Sequence, residues 1–246
     1  MNSFDLKSIE LEISSLCNLA CPLCHRTKNE GRYELTNISF DDIKRIFPKK
    51  LFIKNRRFLL CGALGEPVIN KDCYKIVKYL IDNDAFVEIN SNASLQTSKF
   101  WYDLGKLSSD TNNVNVWFCV DGYAETNHFY RINSNFDIII KNMINYMEGG
   151  KQGKQKFAKA TWMYNVFDYN LHELELAKNH AEKLGMKFAT RTGVGNSIGF
   201  TKKVRVKKGV TEFRSYRSSG EFRHKNASTV KMIERIVRNE PKSKID

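Results

Sequence analysis

No stretch of this 246-residue chain approaches the roughly 20 consecutive apolar residues that a membrane-spanning helix needs. The N-terminus lacks the apolar segment of a secretory leader and carries Asp5, Lys7, Glu10 and Glu12 in its place. A soluble, non-secreted, cytoplasmic protein with no membrane attachment is therefore expected. Acidic charge is scarce: 27 Asp+Glu face 40 Lys+Arg, a net of +13. The imbalance is local. Residues 201–246 hold 14 Lys+Arg against 5 Asp+Glu, whereas the first 200 hold 26 against 22. Apolar residues at 41% and charged residues at 27% exclude wholesale disorder and allow one large core without disulfide staples.

Residues 8–13 alternate apolar and polar, the pattern of a strand, and run straight into a group of cysteines. A short helix opens at Ser39-Phe40-Asp41-Asp42 and is ended by Pro48. Further strands are predicted at 57–61, 86–90, 114–120, 157–164 and 187–190. Helices are predicted at 72–83, 99–107, 137–147 and 171–185. Gly149-Gly150 is expected to stop the third of these, and Asn170 to open the last in a capping box with Glu173. Strands alternating with helices predict a parallel α/β array, with each strand ending in a loop rich in Gly, Asn, Asp or Cys. Such loops build the sites of α/β barrels. Six units are too few for a closed eight-stranded barrel. The expected fold is a partial (β/α)6 TIM-like barrel over residues 1–200, with a basic extension over 201–246.

Of six cysteines, Cys17, Cys21 and Cys24 fall within eight residues, while Cys61, Cys73 and Cys119 are scattered. Three thiols on a short loop can each ligate one iron of a cubane cluster and leave the fourth iron open, as a catalytic metal site requires. The alternative is a structural zinc with His25 as fourth ligand, in a nucleic-acid-binding protein without radical chemistry. Adjacent Cys24 and His25 side chains are poorly placed to share one small tetrahedral ion.

The run LEISSLCNLACPLCHR, residues 11–26, resembles the first strand and cluster loop of the radical S-adenosylmethionine (SAM) superfamily. The resemblance implies a 4Fe–4S cluster on Cys17, Cys21 and Cys24, with SAM chelating the open iron. It implies reductive cleavage of SAM to methionine and a 5′-deoxyadenosyl radical that takes hydrogen from a substrate, in an oxidoreductase or transferase. An external electron donor of flavodoxin or ferredoxin type is implied as well. Leu23 stands where an aromatic is common and is expected near the adenine. Cys61-Gly62-Ala63-Leu64-Gly65-Glu66-Pro67 resembles the family's Gly-Gly-Glu-Pro motif, which implies that Gly62, Gly65 and Glu66 meet the SAM amino group. Leu64 replaces the first glycine of that pair. Ser91-Asn92, followed by Ala93, resembles Thr-Asn-Gly; Asp121-Gly122, with His128-Phe129-Tyr130-Arg131 and Phe136 downstream, resembles the end of the family's fourth strand. Asn92 and Asn165 are implied SAM contacts, and Asp121 is implied to lie near the ribose. Taken singly, each of these motifs also reads as an ordinary strand-to-loop turn. Arg191, ending the sixth strand, is a candidate for a carboxylate or phosphate, or for a surface ion pair.

The resemblance spans about residues 8–195 and points to the branch of molybdenum-cofactor cyclases and peptide-modifying SPASM enzymes. No cysteine follows Cys119, so the auxiliary-cluster domain of that branch is expected to be absent. Residues 202–208 alternate like a strand with one charged face, and Asn226 onward reads as an amphipathic helix with Lys231, Arg235 and Arg238 in a stripe. Such an extension could hold an anionic macromolecular substrate, RNA or an acidic peptide, or could be a solvated cap on the barrel.

Overall fold

The computed structural model describes residues 6–52, 54–60 and 63–191, together with the backbone of 204–206 and 209–211. Six strands pair in parallel and in chain order: β1 (Ser8–Glu10), β2 (Arg57–Leu60), β3 (Phe86–Ser91), β4 (Val114–Cys119), β5 (Lys159–Asn165) and β6 (Lys187–Arg191). Between them lie α1 (His25–Lys28), α2 (Phe40–Ile46), α3 (Cys73–Ile81), α4 (Ser98–Thr111), α5 (Asn127–Tyr130), α6 (Phe136–Gln152) and α7 (Leu174–Lys183). Crossovers between parallel strands are right-handed in nearly all proteins, and here each steps to the next strand, which puts the covering helices on one face. The strand order never reverses, which distinguishes this sheet from a doubly wound one. It is the predicted partial barrel.

Strand alternation divides the faces. Val87 and Ile89, Val116 and Phe118, and Trp162 are fully buried against Trp101, Ile139 and Ile140 of the helices. The intervening residues Glu88, Asn90, Asn115, Trp117 and Thr161 occupy the opposite face. The strands' C-terminal ends therefore share one edge, and the loops leaving that edge carry the motifs.

Several expectations are corrected. β1 ends at Glu10 rather than residue 13, because the Ile13 carbonyl accepts from Ile38 N (3.1 Å) and Asn70 Nδ2 (2.7 Å), which draw the chain off the sheet. α6 runs through Gly149-Gly150 to Gln152. A Cβ at Gly149 would lie 1.9 Å from Tyr102 O of α4, and one at Gly105 of α4 would lie 1.8 Å from Tyr146 O of α6. These glycines let two helix backbones touch; they do not stop a helix. Asn170 makes no capping box: its Oδ1 accepts from Phe167 N (2.8 Å), and Glu173 accepts instead from Tyr123 N (3.3 Å) and Thr126 Oγ1. The segment 171–185 accordingly begins as a 3-10 turn over Leu171–Glu173 before α7. In the extension, β7 (Val204–Val206), inside the stretch read as a strand, pairs antiparallel with β8 (Gly209–Thr211), just beyond it. The helix predicted from Asn226 lies outside the described residues.

Candidate active site

The cysteine loop follows β1. Cys17 and Cys24 are half-buried, Cys21 is buried, and none is in a disulfide. Cys24 N donates to Cys21 O (3.0 Å), closing the turn that holds Pro22, and Leu19 N donates to Cys17 Sγ (3.4 Å). Leu19 and Cys21 pack with Tyr130 of α5 and with Phe167, and Leu23 and Tyr169 lie against the same cluster. The Phe167 and Tyr169 rings are stacked at 5.3 Å. This aromatic wall keeps water from one side of the thiols. Burial raises the Cys17 pKa and pushes Cys21 up to about 11, with nearby Arg26 and Arg131 respectively pulling the other way.

The donor set suits a cluster better than a single ion. His25 Nε2 is engaged with Tyr33 OH at 2.6 Å. Among the described residues, no three His, Cys, Asp or Glu side chains are placed to hold one metal ion. A zinc ion needs its ligands to converge within about 2.3 Å of one point, whereas each thiolate of a cubane meets its own iron.

The loop after β2 is strapped to the cysteine loop by its backbone. Glu12 accepts from Ala63 N and Gly65 N, both at 2.9 Å, and Glu66 N donates to Leu16 O (2.7 Å). A Cβ at Gly65 would fall 1.8 Å from Ser14 O, so the close approach requires glycine. Glu66 is 3% exposed and accepts from Asn92 N (2.7 Å) and Val68 N (3.4 Å). Burial pushes its pKa from an ordinary 4.5 up to about 7, against the opposing pull of the Asn92 hydrogen bond. Gly62, with Cys61, lies outside the described residues.

Asn92 is more than a turn residue. Its Nδ2 donates to Asn18 Oδ1 (3.1 Å) in the cysteine loop and lies 3.8 Å from Cys17 Sγ, while its Oδ1 accepts from Ser94 N (2.9 Å). Ala93 holds a left-handed φ of 56°, which explains why glycine is usual at that place in the resembling motif.

Asp121 is fully buried and its acceptors are taken. Oδ1 accepts from Asn165 N (2.7 Å); Oδ2 accepts from Asn165 Nδ2 (3.0 Å) and from Arg131 Nε (2.6 Å). Asn170 Nδ2 ties the carbonyls of Asp121 (2.8 Å) and Asn165 (3.0 Å) together. These bonds give Asp121 a positioning role. It holds Arg131, which lies close enough to Cys21 and Cys119 to act on their charge. Asn165 likewise spends its amide N–H2 on Asp121. Arg191 is exposed at the end of β6, in register with Asn165.

Two functional candidates escaped sequence reasoning: Glu12, whose strand-like alternation hides its role in the loop, and Arg131 as partner of Asp121. Spacing alone carries no signal for either.

No family model matches the chain. Over 115 residues it is 35% identical to a probable GTP 3′,8-cyclase of Methanococcus vannielii, covering 46% of this chain and 36% of the relative. Over 121 residues it is 28% identical to a tungsten-containing aldehyde ferredoxin oxidoreductase cofactor-modifying protein of Pyrococcus furiosus, covering 47% and 31%. The chain thus aligns with about a third of these relatives' lengths. Among solved structures it resembles anSMEcpe with bound AdoMet, at a TM-score of 0.56 and 15% identity over 74% of this chain and 49% of that one. It also resembles Streptococcus suis SuiB bound to S-adenosylmethionine, at 0.59 and 14% over 94% and 46%. The likeness to these solved structures, at 14–15% identity, shows a shared fold over 74% and 94% of this chain. Among the described residues no helix is long and apolar enough to cross a membrane.

Proposed function

We propose that this chain binds a 4Fe–4S cluster through Cys17, Cys21 and Cys24 and uses it on SAM and a further substrate. The supporting observation is the meeting of three strand-end elements at the cysteine loop: Gly65-Glu66, Asn92, and Arg131 held by Asp121. When bound, such a cluster supplies the electron that cleaves SAM to methionine and a 5′-deoxyadenosyl radical, the chemistry belonging to the cofactor. The chain's own contribution is binding and exclusion. Glu66 receives the SAM ammonium, Gly65 lets the loop backbone approach it, and Arg131 places a cation beside the anionic cluster. Leu23 and the Tyr130–Phe167–Tyr169 wall keep the loop dry, which strengthens every charge interaction within it. A flavodoxin- or ferredoxin-type protein supplies the electron.

Anaerobic reconstitution followed by reduction with SAM tests this reading. 5′-Deoxyadenosine should form, and S-adenosylhomocysteine alone would refute it. Glu66→Gln gives a sharper measurement. Because folding raises the Glu66 pKa, its contribution to stability is fully present below about 4.5 and is lost as pH rises through about 7. The unliganded wild type should lose on the order of 3 kcal/mol from this group across that window, and the Gln variant should not. SAM affinity of the variant should fall about tenfold at pH 7 and above, where the wild-type carboxylate pairs with an ammonium. Equal urea-unfolding profiles for the two proteins between pH 4.5 and 7 would contradict the buried-carboxylate account.

The basic extension is proposed to draw an anionic macromolecule, RNA or an acidic peptide, to the barrel, because the +9 of residues 201–246 is concentrated there. Reversing Lys231, Arg235 and Arg238 to Glu should weaken RNA binding and flatten its dependence on salt. Binding that stays unchanged in the triple variant assigns the charge to solvation.

A further inference from the structure

The sheet face opposite the helices carries a polar row that no described element completes. Asn90 of β3 is in register with Trp117 of β4, and Trp117 with Thr161 of β5. Their chain neighbours Ile89, Val116, Phe118 and Trp162 are all fully buried on the helix side. Asn90, Trp117 and Thr161 therefore face the other way. Asn115 stands one pleat below Trp117, beside Glu88. Asn90 lies two residues before Asn92, and Trp117 four before Asp121, so the row sits about 7–13 Å beneath the edge that carries the cysteine loop.

Three charged groups near the floor of this face already have partners, whereas Lys187 of β6, in register with Thr161, is exposed. Arg57 is ion-paired to Glu88, and Lys159 Nζ donates to Asn112 O (2.8 Å) while lying 5.3 Å from the Phe86 ring centroid. The row itself is different. Trp117 Nε1 is buried with no hydrogen-bond partner. The half-buried carboxamides of Asn90 and Asn115 make no hydrogen bond among the described residues. Buried indole N–H groups ordinarily find acceptors, so one left without a partner on this face is a donor for something else.

We propose that this row binds the substrate through a neutral amide group. A carbonyl oxygen accepts from Trp117 Nε1, and the adjacent N–H and C=O meet the Asn90 and Asn115 carboxamides, each of which offers both a donor and an acceptor. Neutrality matches the row's own groups, an indole N–H and two carboxamides, none of which carries a charge. Three adjacent strands span about 10 Å, room for one ring or one peptide unit. Lactams and open-chain peptide amides share this chemistry. The inference deepens the radical SAM reading, because it assigns the row to the substrate of that site.

The test uses the anaerobically reconstituted full chain with three probes: uracil as a lactam, N-acetylglycine methylamide as a peptide unit, and cyclohexanone as a carbonyl without an N–H. Binding is followed by saturation-transfer NMR, beside iron content and near-ultraviolet circular dichroism. At least one amide should bind in the millimolar range, with cyclohexanone tenfold weaker or undetectable. Whichever amide binds identifies the source. Trp117→Phe and Asn90→Leu should each weaken that amide tenfold or more while iron content and circular dichroism stay at wild-type values. Should either variant misfold, the near-isosteric Thr161→Val carries the same expectation at threefold or more. Failure of both amides, equal binding of cyclohexanone, or unchanged affinity in correctly folded variants overturns the proposal. A chain that makes no deoxyadenosine yet loses amide binding on Trp117→Phe would refute the radical reading and leave the amide wall standing.

Discussion

Alanine at Cys17, Cys21 or Cys24 is expected to remove essentially all of the approximately four irons and four sulfides of a cubane from the reconstituted protein, because in the proposed site each thiolate would be the sole protein ligand of its iron. Deoxyadenosine formation should vanish with them. The other cysteines serve as internal controls. Cys73 is fully buried in the core of α3, so Cys73→Ala should cost packing, about 1–2 kcal/mol, and leave iron content unchanged. Cys119 lies on the strand face opposite the helices, and its alanine variant should also retain the cluster. If Cys119→Ala loses iron as completely as Cys17→Ala, a fourth thiolate is in play and the open-iron assignment is wrong.

Asp121→Ala should give the largest loss of stability of any single change at the site. The substitution leaves the Arg131 guanidinium, only 14% exposed, without its counter-ion, and frees both Asn165 N and Asn165 Nδ2. Breaking a buried pair on one side typically costs about 3–5 kcal/mol. Urea unfolding measures this directly. The double variant Asp121→Ala, Arg131→Met should recover a substantial part of the loss, since the uncompensated charge goes with the arginine. A loss below about 1 kcal/mol in the single variant would mean that Arg131 is solvated, and its assigned place beside the cluster would fall with it.

The parts of this protein that could be read in its sequence are those specified by short-range pattern. Period-two alternation in 86–90 and 114–120 returned β3 and β4 almost residue for residue, since each strand must hide one face. The CNLACPLC spacing is legible because its three thiols are neighbours in the chain. Illegible features depend on what a residue meets at a distance. Gly149-Gly150 has the local character of a helix stop, and nothing in α6 announces that the Tyr102 carbonyl lies against it. Asn170 and Glu173 have capping-box spacing, yet buried partners at Asp121, Asn165 and Thr126 outbid the cap. The turn at Asp121 likewise hides that its oxygens accept from residues 10 and 44 positions further along.

The contact between α4 and α6 gives the site its mechanical footing. Asn142 of α6 reaches across to donate to Ala93 O (2.8 Å) and Leu95 O (3.1 Å), immediately after Asn92. The spacing of those helices is fixed by main chain against main chain at Gly105 and Gly149, where no side chain can yield. The loop bearing Asn92 thus inherits its compliance from a contact in the outer layer, on the far side of the sheet. Substitutions that loosen or tighten that layer can retune the Asn92 loop without altering any residue that faces a ligand, a route by which relatives sharing the same ligand-facing residues could come to differ in how firmly they hold their cofactor.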